Sequence, residues 1–297
     1  MLRIQLHALF LIVMLSLLVT IAPAQKARRI SANGMSFGYV ERGSGPPVIL
    51  IHGSISDYRE WSSQIPVLSK RYRVIAYSRR YHWPNVPPGK DADVSTEKQA
   101  DDLAEIIKAI GIAPAHVVGH SFGGAVALNL ALRHPELVRT LVLAEPAISG
   151  VLANTADNDD VFKESQAIRA EMKEAFASGD PERIVRTYAA HVAAGEFEKA
   201  APEMRQMLLA NVPAFQLDFT TRRAPLTCDD ARRASVPVLI VFGDRSPLGL
   251  QRIAATAASC INGAKLVKIP EATHWMQHDQ AKAFNDAVLG FLAESRK

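Results

Sequence analysis

The stretch AHVVGHSFGGAVALNLALRHP, residues 115–135, constrains this chain more than any other. A short apolar run ends in GHSFGG, and a helix rich in small residues follows, closed by Pro135. G-x-S-x-G between a strand and a helix demands a sharp, strained turn at Ser121. The residues two places to either side, Gly119 and Gly123, must therefore be small, and Gly124 lets the helix approach the sheet. Such a turn presents the Ser121 hydroxyl above the sheet edge as a nucleophile. It also aims the backbone N–H of Phe122 at a developing oxyanion.

The surrounding pattern supplies the sheet. MSFGYVERG, from Met35, alternates weakly and reads as an early strand, and PPVILIHG (46–53) and YRVIAYS (72–78) read as buried parallel strands. TEKQADDLAEIIKAIG is a helix with Leu103, Ile106, Ile107 and Ile110 on one face, stopped by Gly111. VRTLVLAEP, VPVLIVFG and AKLVKIP are further strands. Helices from about Leu248 to Ala258 and from Gln280 to Ala293 complete an α/β alternation. Between residues 148 and 233 the rhythm is helical throughout, with Asp180 and Pro181 as the cap and first turn of one helix. Apolar helices with little sheet to cover predict a lid over the carboxyl ends of the strands, where ligands bind in such folds.

His52-Gly53 ends an early strand, which makes the N–H of Ser54 the second oxyanion donor, with Ile55 next in line. Late in the chain, KIPEATHWMQHDQ offers His274 after a strand and a short loop, the place for a base that meets Ser121. His278 reads as a solvated residue near a helix start. His52, His120, His116, His134 and His191 read as structural or packing residues.

These elements resemble the α/β-hydrolase superfamily through nearly the whole chain after its N-terminus: HG at Gly53, GHSFGG at Ser121, the late strand at Val238 and THW at His274. The likeness is greatest to the capped branch of lactonases, carbon–carbon bond hydrolases, epoxide hydrolases and haloalkane dehalogenases. It implies an eight-stranded, mostly parallel sheet, a helical cap inserted after the sixth strand, and a nucleophile–acid–His triad in that chain order. Ser121, where epoxide hydrolases and haloalkane dehalogenases carry Asp, suits acyl transfer at an ester, thioester or lactone rather than those two activities. AYSRRYHWPNVPP (76–88) departs from the family's usual Asp and GxGxS. There, Arg79, Arg80 and His82 either hold a substrate carboxylate or brace a network under the lid.

The acid is a second departure. The family's common acid follows the late strand three residues beyond Gly243, where this chain has Ser246, with Asp244 two residues too early. Glu145 ends the strand after the nucleophile helix, 24 residues beyond Ser121. Haloalkane dehalogenases and the zearalenone lactonase type place a Glu there. A carboxylate closing so apolar a strand needs a partner, because burying it alone is costly. Glu145 is therefore preferred, and Asp244 is the alternative acid.

The expected function is a serine hydrolase acting on a small ester or lactone without metal or organic cofactor. A carbon–carbon bond hydrolase or cofactor-free haloperoxidase-like perhydrolase is the alternative, and a non-catalytic binding module the third reading. The expected organisation is a secretory signal peptide over residues 1–24, a core of residues 25–147 and 234–297, and a cap of residues 148–233. The signal reading rests on Arg3, the apolar run Ala8 to Ala22, and the small-x-small site Ala22-Pro23-Ala24 before Gln25. It predicts a periplasmic or secreted protein with no stable membrane partner after cleavage. Losing Arg3 moves the formal charge from +4 to +3, and the charges that remain are interleaved, which argues against nucleic acid as a partner. Cys228 and Cys260, 32 residues apart, can pair in an oxidising compartment, though spacing alone leaves the pairing open.

Overall fold

The computed structural model describes residues 27–89, 92–153, 158–221 and 224–295. The expected signal segment, residues 1–24, lies outside them. The strands are β1 (Arg28–Ala32), β2 (Met35–Arg42), β3 (Pro47–Ile51), β4 (Arg73–Tyr77), β5 (Ala115–His120), β6 (Val138–Ala144), β7 (Val238–Gly243) and β8 (Lys265–Ile269). They form one eight-stranded sheet in the order β1-β2-β4-β3-β5-β6-β7-β8. The β1–β2 and β2–β4 pairs are antiparallel and the rest parallel. This is a capped α/β-hydrolase topology. The strand β1 was not legible in RRISA, whose arginines break any apolar pattern at the sheet edge.

The helices are α1 (Ile65–Leu68), α2 (Thr96–Ile110), α3 (Phe122–Arg133), α4 (Asp159–Ser178), α5 (Pro181–Val192) and α6 (Glu196–Lys199). They continue with α7 (Pro202–Ala210), α8 (Val212–Thr220), α9 (Cys228–Arg232), α10 (Leu248–Cys260), α11 (Met276–Asp279) and α12 (Ala281–Glu294). Local chemistry sets their ends. The Ser95 side chain caps α2 by accepting the N–H of Lys98, and Gly111 ends the helix in the left-handed region at φ 70°. Asp180 caps α5 by accepting the N–H of Glu182, with Pro181 at the first position.

Both sheet faces are covered. Leu103 and Ile107 of α2, Val126 and Leu130 of α3 and Ile253 of α10 pack on one face with Ile49 and Val117. Leu68 of α1 and Phe284 and Val288 of α12 pack on the other with Leu50, Val118 and Trp61. Every residue of β5 is buried, as expected of a central parallel strand.

Helices α4 to α8 form the cap, and the described residues between β6 and β7 contain no strand. The cap has its own apolar cluster, including Met172, Ile184, Val185, Met207, Leu208 and Phe215. That cluster takes in two core residues, Ile55 from the turn after β3 and Trp275 beside His274. Polar anchors reinforce the seam. Asn211 Nδ2 donates to Asp57 Oδ2 at 2.7 Å, and its Oδ1 accepts the N–H of Trp83 at 2.8 Å.

Cys228 at the start of α9 and Cys260 at the end of α10 form a disulfide. It ties the segment returning from the cap to a core helix. For a sequence separation of 32, loop-closure entropy gives about 3–4 kcal/mol of stabilisation. Reduction, or the Cys228→Ser/Cys260→Ser double variant, should lower the thermal midpoint by several degrees. An unchanged midpoint, with two free thiols titrating in the unreduced protein, would contradict the bridge.

Candidate active site

Ser121 sits between β5 and α3 at φ 52° and ψ −116°, a conformation disfavoured for a side chain with a Cβ. The turn is held by its backbone. The N–H of Ser121 donates to the carbonyl of Ala144 at 2.8 Å, and the Ser121 carbonyl accepts from Ala147 at 2.9 Å. The glycine requirement is steric, since a Cβ on Gly123 would lie 2.3 Å from the carbonyl oxygen of Ile51.

Glu145 immediately follows β6 and is also strained, at φ 39°. It is fully buried. One carboxylate oxygen accepts the N–H of Gly243 at 2.8 Å, and the other lies 2.6 Å from Nδ1 of His274. Gly243 ends β7, the strand beside β6, and its lack of a side chain lets the His274 loop pass close by. A Cβ there would lie 2.2 Å from the carbonyl oxygen of Ala272.

Asp244 makes no comparable contact. Its Oδ1 and the Ser246 Oγ are buried without a hydrogen-bond partner among the described residues. The geometry thus pairs His274 with Glu145 rather than with Asp244.

Ser121, His274, Phe122 and Ser54 line one cavity of about 240 Å³. The cap contributes Ile168, Tyr188, Val192, Phe215 and Phe219 to its wall. Ile55 turns instead into the cap cluster. Burial lowers the pKa of His274, the charge of His120 lowers it further, and the hydrogen bond and charge of Glu145 oppose both. The outcome favours a neutral imidazole, the form a general base needs.

Sequence reasoning did not single out Tyr188. Its ring packs on Phe215 at 4.7 Å, it lines the same cavity as Ser121, and burial raises the pKa of its phenol, with the nearby Ser121 hydroxyl opposing. In IVRTYAAHV it looks like any residue on the apolar face of an amphipathic helix.

Arg79, Arg80 and His82 do not line this cavity. Arg79 is fully buried and donates to the carbonyls of His52 and Gly53, to Gln99 and to Asp218 Oδ2 at 2.8 Å. Arg80 makes a two-pronged pair with Asp102, at 2.6 and 2.7 Å. His82 lies against the carbonyl of Ser54 at 2.8 Å, and burial together with the Arg79 charge pushes its pKa down to about 4. The bracing network is what the structure contains.

Among the other histidines, His52 takes the N–H of Arg79 on Nε2, and His116 bonds Thr140 across β5 and β6. His134 lies near Asp101, and His191 near Glu171. His278 corrects an expectation. It lies half-buried in the short helix α11, and desolvation pushes its pKa down to about 4.

Residues 46–281 match the family described as alpha/beta hydrolase fold. The chain belongs to this family. This hydrolase is 29% identical to the 2-hydroxymuconate semialdehyde hydrolase of Pseudomonas sp. strain CF600, over 90% of its own length and 94% of that protein. Among solved structures it is similar to a meta-cleavage product hydrolase from Pseudomonas fluorescens IP01. The TM-score is 0.68 at 25% identity, covering 90% of this chain and 98% of that one. The enol-lactonase from Burkholderia xenovorans LB400 shares the fold with a TM-score of 0.71 at 20% identity, covering 90% of this chain and all of that one.

Proposed function

We propose that this hydrolase cleaves a small carboxylic ester or lactone through an acyl-enzyme, with Ser121 as nucleophile, His274 as base and Glu145 as the acid that orients it. The observation that carries the reading is the 2.6 Å contact of Glu145 with His274 Nδ1, in a site whose cavity both His274 and Ser121 line.

With Nδ1–H committed to Glu145, Nε2 of His274 is the nitrogen that takes the Ser121 proton. Ser121 then attacks the carbonyl, and the N–H groups of Phe122 and Ser54 receive the oxyanion. His274 gives its proton to the leaving oxygen; it next takes a proton from the water that attacks the acyl-enzyme carbonyl and passes it to Ser121 Oγ as the acid is released. A cavity of about 240 Å³ whose cap wall is mostly apolar, with Glu164, Ser165 and Arg169 at one part of it, favours a short acyl or small ring portion. We further propose export to the periplasm or medium. The Cys228–Cys260 bridge supports this, as disulfides persist in oxidising compartments.

A second reading, cleavage of a carbon–carbon bond by the same residues, is favoured by the similarity to the 2-hydroxymuconate semialdehyde hydrolase. One assay set separates the two. The purified protein is offered short-chain p-nitrophenyl esters, small lactones and a 2-hydroxy-6-oxo-dienoate, and is labelled with a fluorophosphonate. Ester or lactone turnover and a label on Ser121, both lost in Ser121→Ala, are expected. Turnover of the dienoate alone would move the assignment to the second reading. Folded protein that neither labels nor turns over any substrate would overturn both.

A further inference from the structure

Glu60 and His120 are buried, ionisable and unused by the proposed reaction. Glu60 lies in the 3-10 turn Tyr58–Trp61, which follows the Ser54 turn. His120 is the last residue of β5, directly before Ser121. One Glu60 oxygen accepts the N–H of Gly53 at 3.1 Å, and the other faces Nδ1 of His120 at 3.0 Å. Nε2 of His120 faces the backbone carbonyl of His274 at 2.9 Å. Nδ1 also faces the side-chain amide of Gln277, Nε2 of which lies 3.2 Å away. The Glu60 oxygen and the His274 carbonyl are both acceptors, and the ring can donate to both only if it is doubly protonated. The approach is tight, as a Cβ on Gly53 would lie 3.0 Å from His120 Nδ1.

We propose that Glu60 and His120 form an ionised positioning pair that fixes two parts of the site against each other, the turn carrying Ser54 and the loop carrying His274. This rests on the reading of Ser121 and His274 as nucleophile and base.

The electrostatics agree with the geometry. Burial alone would raise the Glu60 carboxyl and lower the His120 imidazole, but each holds the other in its charged form, so Glu60 falls and His120 rises. An ion pair buried this deeply adds little net stability over apolar packing, so its presence calls for another reason.

Position is one reason and charge is the other. The His120 and His274 rings are 4.5 Å apart, and a cation there disfavours a second proton on His274. The remaining ionisable groups around the pair are Glu145 at the end of β6, His278 on α11, Tyr188 on α5 and His52 after β3. Glu145 opposes the effect on His274, and burial keeps His278 and His52 neutral.

Glu60→Gln separates the two roles. Its amide oxygen can still accept from Gly53, and its NH2 can donate to Nδ1 of a neutral His120, so both links survive without charge. The acid limb of kcat/KM should then move up by about half a unit to one unit, with the plateau within about threefold of wild type. The sign follows from distance. The lost His120 cation is in ring contact with His274, whereas the lost Glu60 anion lies on the far side of His120.

Glu60→Ala cuts both links, and kcat should fall about tenfold or more while KM changes much less. An unmoved acid limb in Glu60→Gln, or full kcat in folded Glu60→Ala, would overturn the proposal. If Glu60→Ala fails to fold by circular dichroism, the Glu60→Gln profile decides alone. Ser121→Ala serves as the control. Activity surviving in that variant sinks the underlying reading, whereas its loss alongside unaffected Glu60 variants sinks only the pair.

Discussion

Glu145→Gln lowers kcat/KM for a short-chain ester by about 10³- to 10⁴-fold, while Asp244→Asn stays within a few-fold of wild type. The asymmetry follows from who donates to Glu145. One oxygen is claimed by the N–H of Gly243 at 2.8 Å, which only an oxygen can satisfy. A glutamine must place its oxygen there, so its NH2 turns towards Nδ1 of His274. The imidazole is then held with its proton on Nε2, the nitrogen that has to receive the serine proton. The shape of the site is preserved and the tautomer is wrong. Glu145→Gln should accordingly fold with a near-native thermal midpoint, label slowly with fluorophosphonate and show no burst of product. A large loss in Asp244→Asn with full activity in Glu145→Gln would refute the assignment of the acid.

Arg79→Met destabilises the protein by about 3–5 kcal/mol, read as a fall in thermal midpoint on the order of 10 °C. The guanidinium reaches from the end of β4 to Asp218 on α8, with side chains 0% and 1% exposed. It also stacks over the Phe122 ring at 4.3 Å. Without it, Asp218 keeps a buried charge with no cation, and the carbonyls of His52 and Gly53 lose donors. The Arg79→Met/Asp218→Leu double variant removes the uncompensated charge and should recover most of the loss. If Arg79 instead bound a substrate carboxylate, Arg79→Met would raise KM and leave the midpoint alone. That result would return the arginine to the substrate.

The parts of the molecule that could be read from sequence are those set by short-range rules. The turn at Ser121 declares itself because its steric demands fall within six consecutive residues, GHSFGG. Glu145 stands out because a carboxylate ending VRTLVLA needs a partner, and Ser246 leaves the family's usual acid position without a carboxylate. The extent of the cap follows from a loss of strand rhythm. What could not be read are contacts between distant segments. Arg79 and Asp218 are 139 residues apart, and His120 and the His274 carbonyl 154. No pattern in RRYH or GHS separates a charge aimed at substrate from one aimed at protein. His278 reads as solvated because QHDQ is polar, yet one turn of helix leaves it half-buried.

The carbonyl of Val192, the last residue of α5, accepts the backbone N–H of His274 at 3.2 Å. The roof of the pocket and His274 therefore share a bond. A roof that lifted as a rigid door would pull on His274 each time it moved, so traffic should run through a side entrance with the roof shut. Grafting a roof from a relative would misplace the imidazole unless the loop around residue 274 came with it. Changes in substrate preference in this lineage should accordingly accumulate as single replacements in the wall, at positions such as Ile168, Phe215 and Phe219, rather than by exchange of the whole roof.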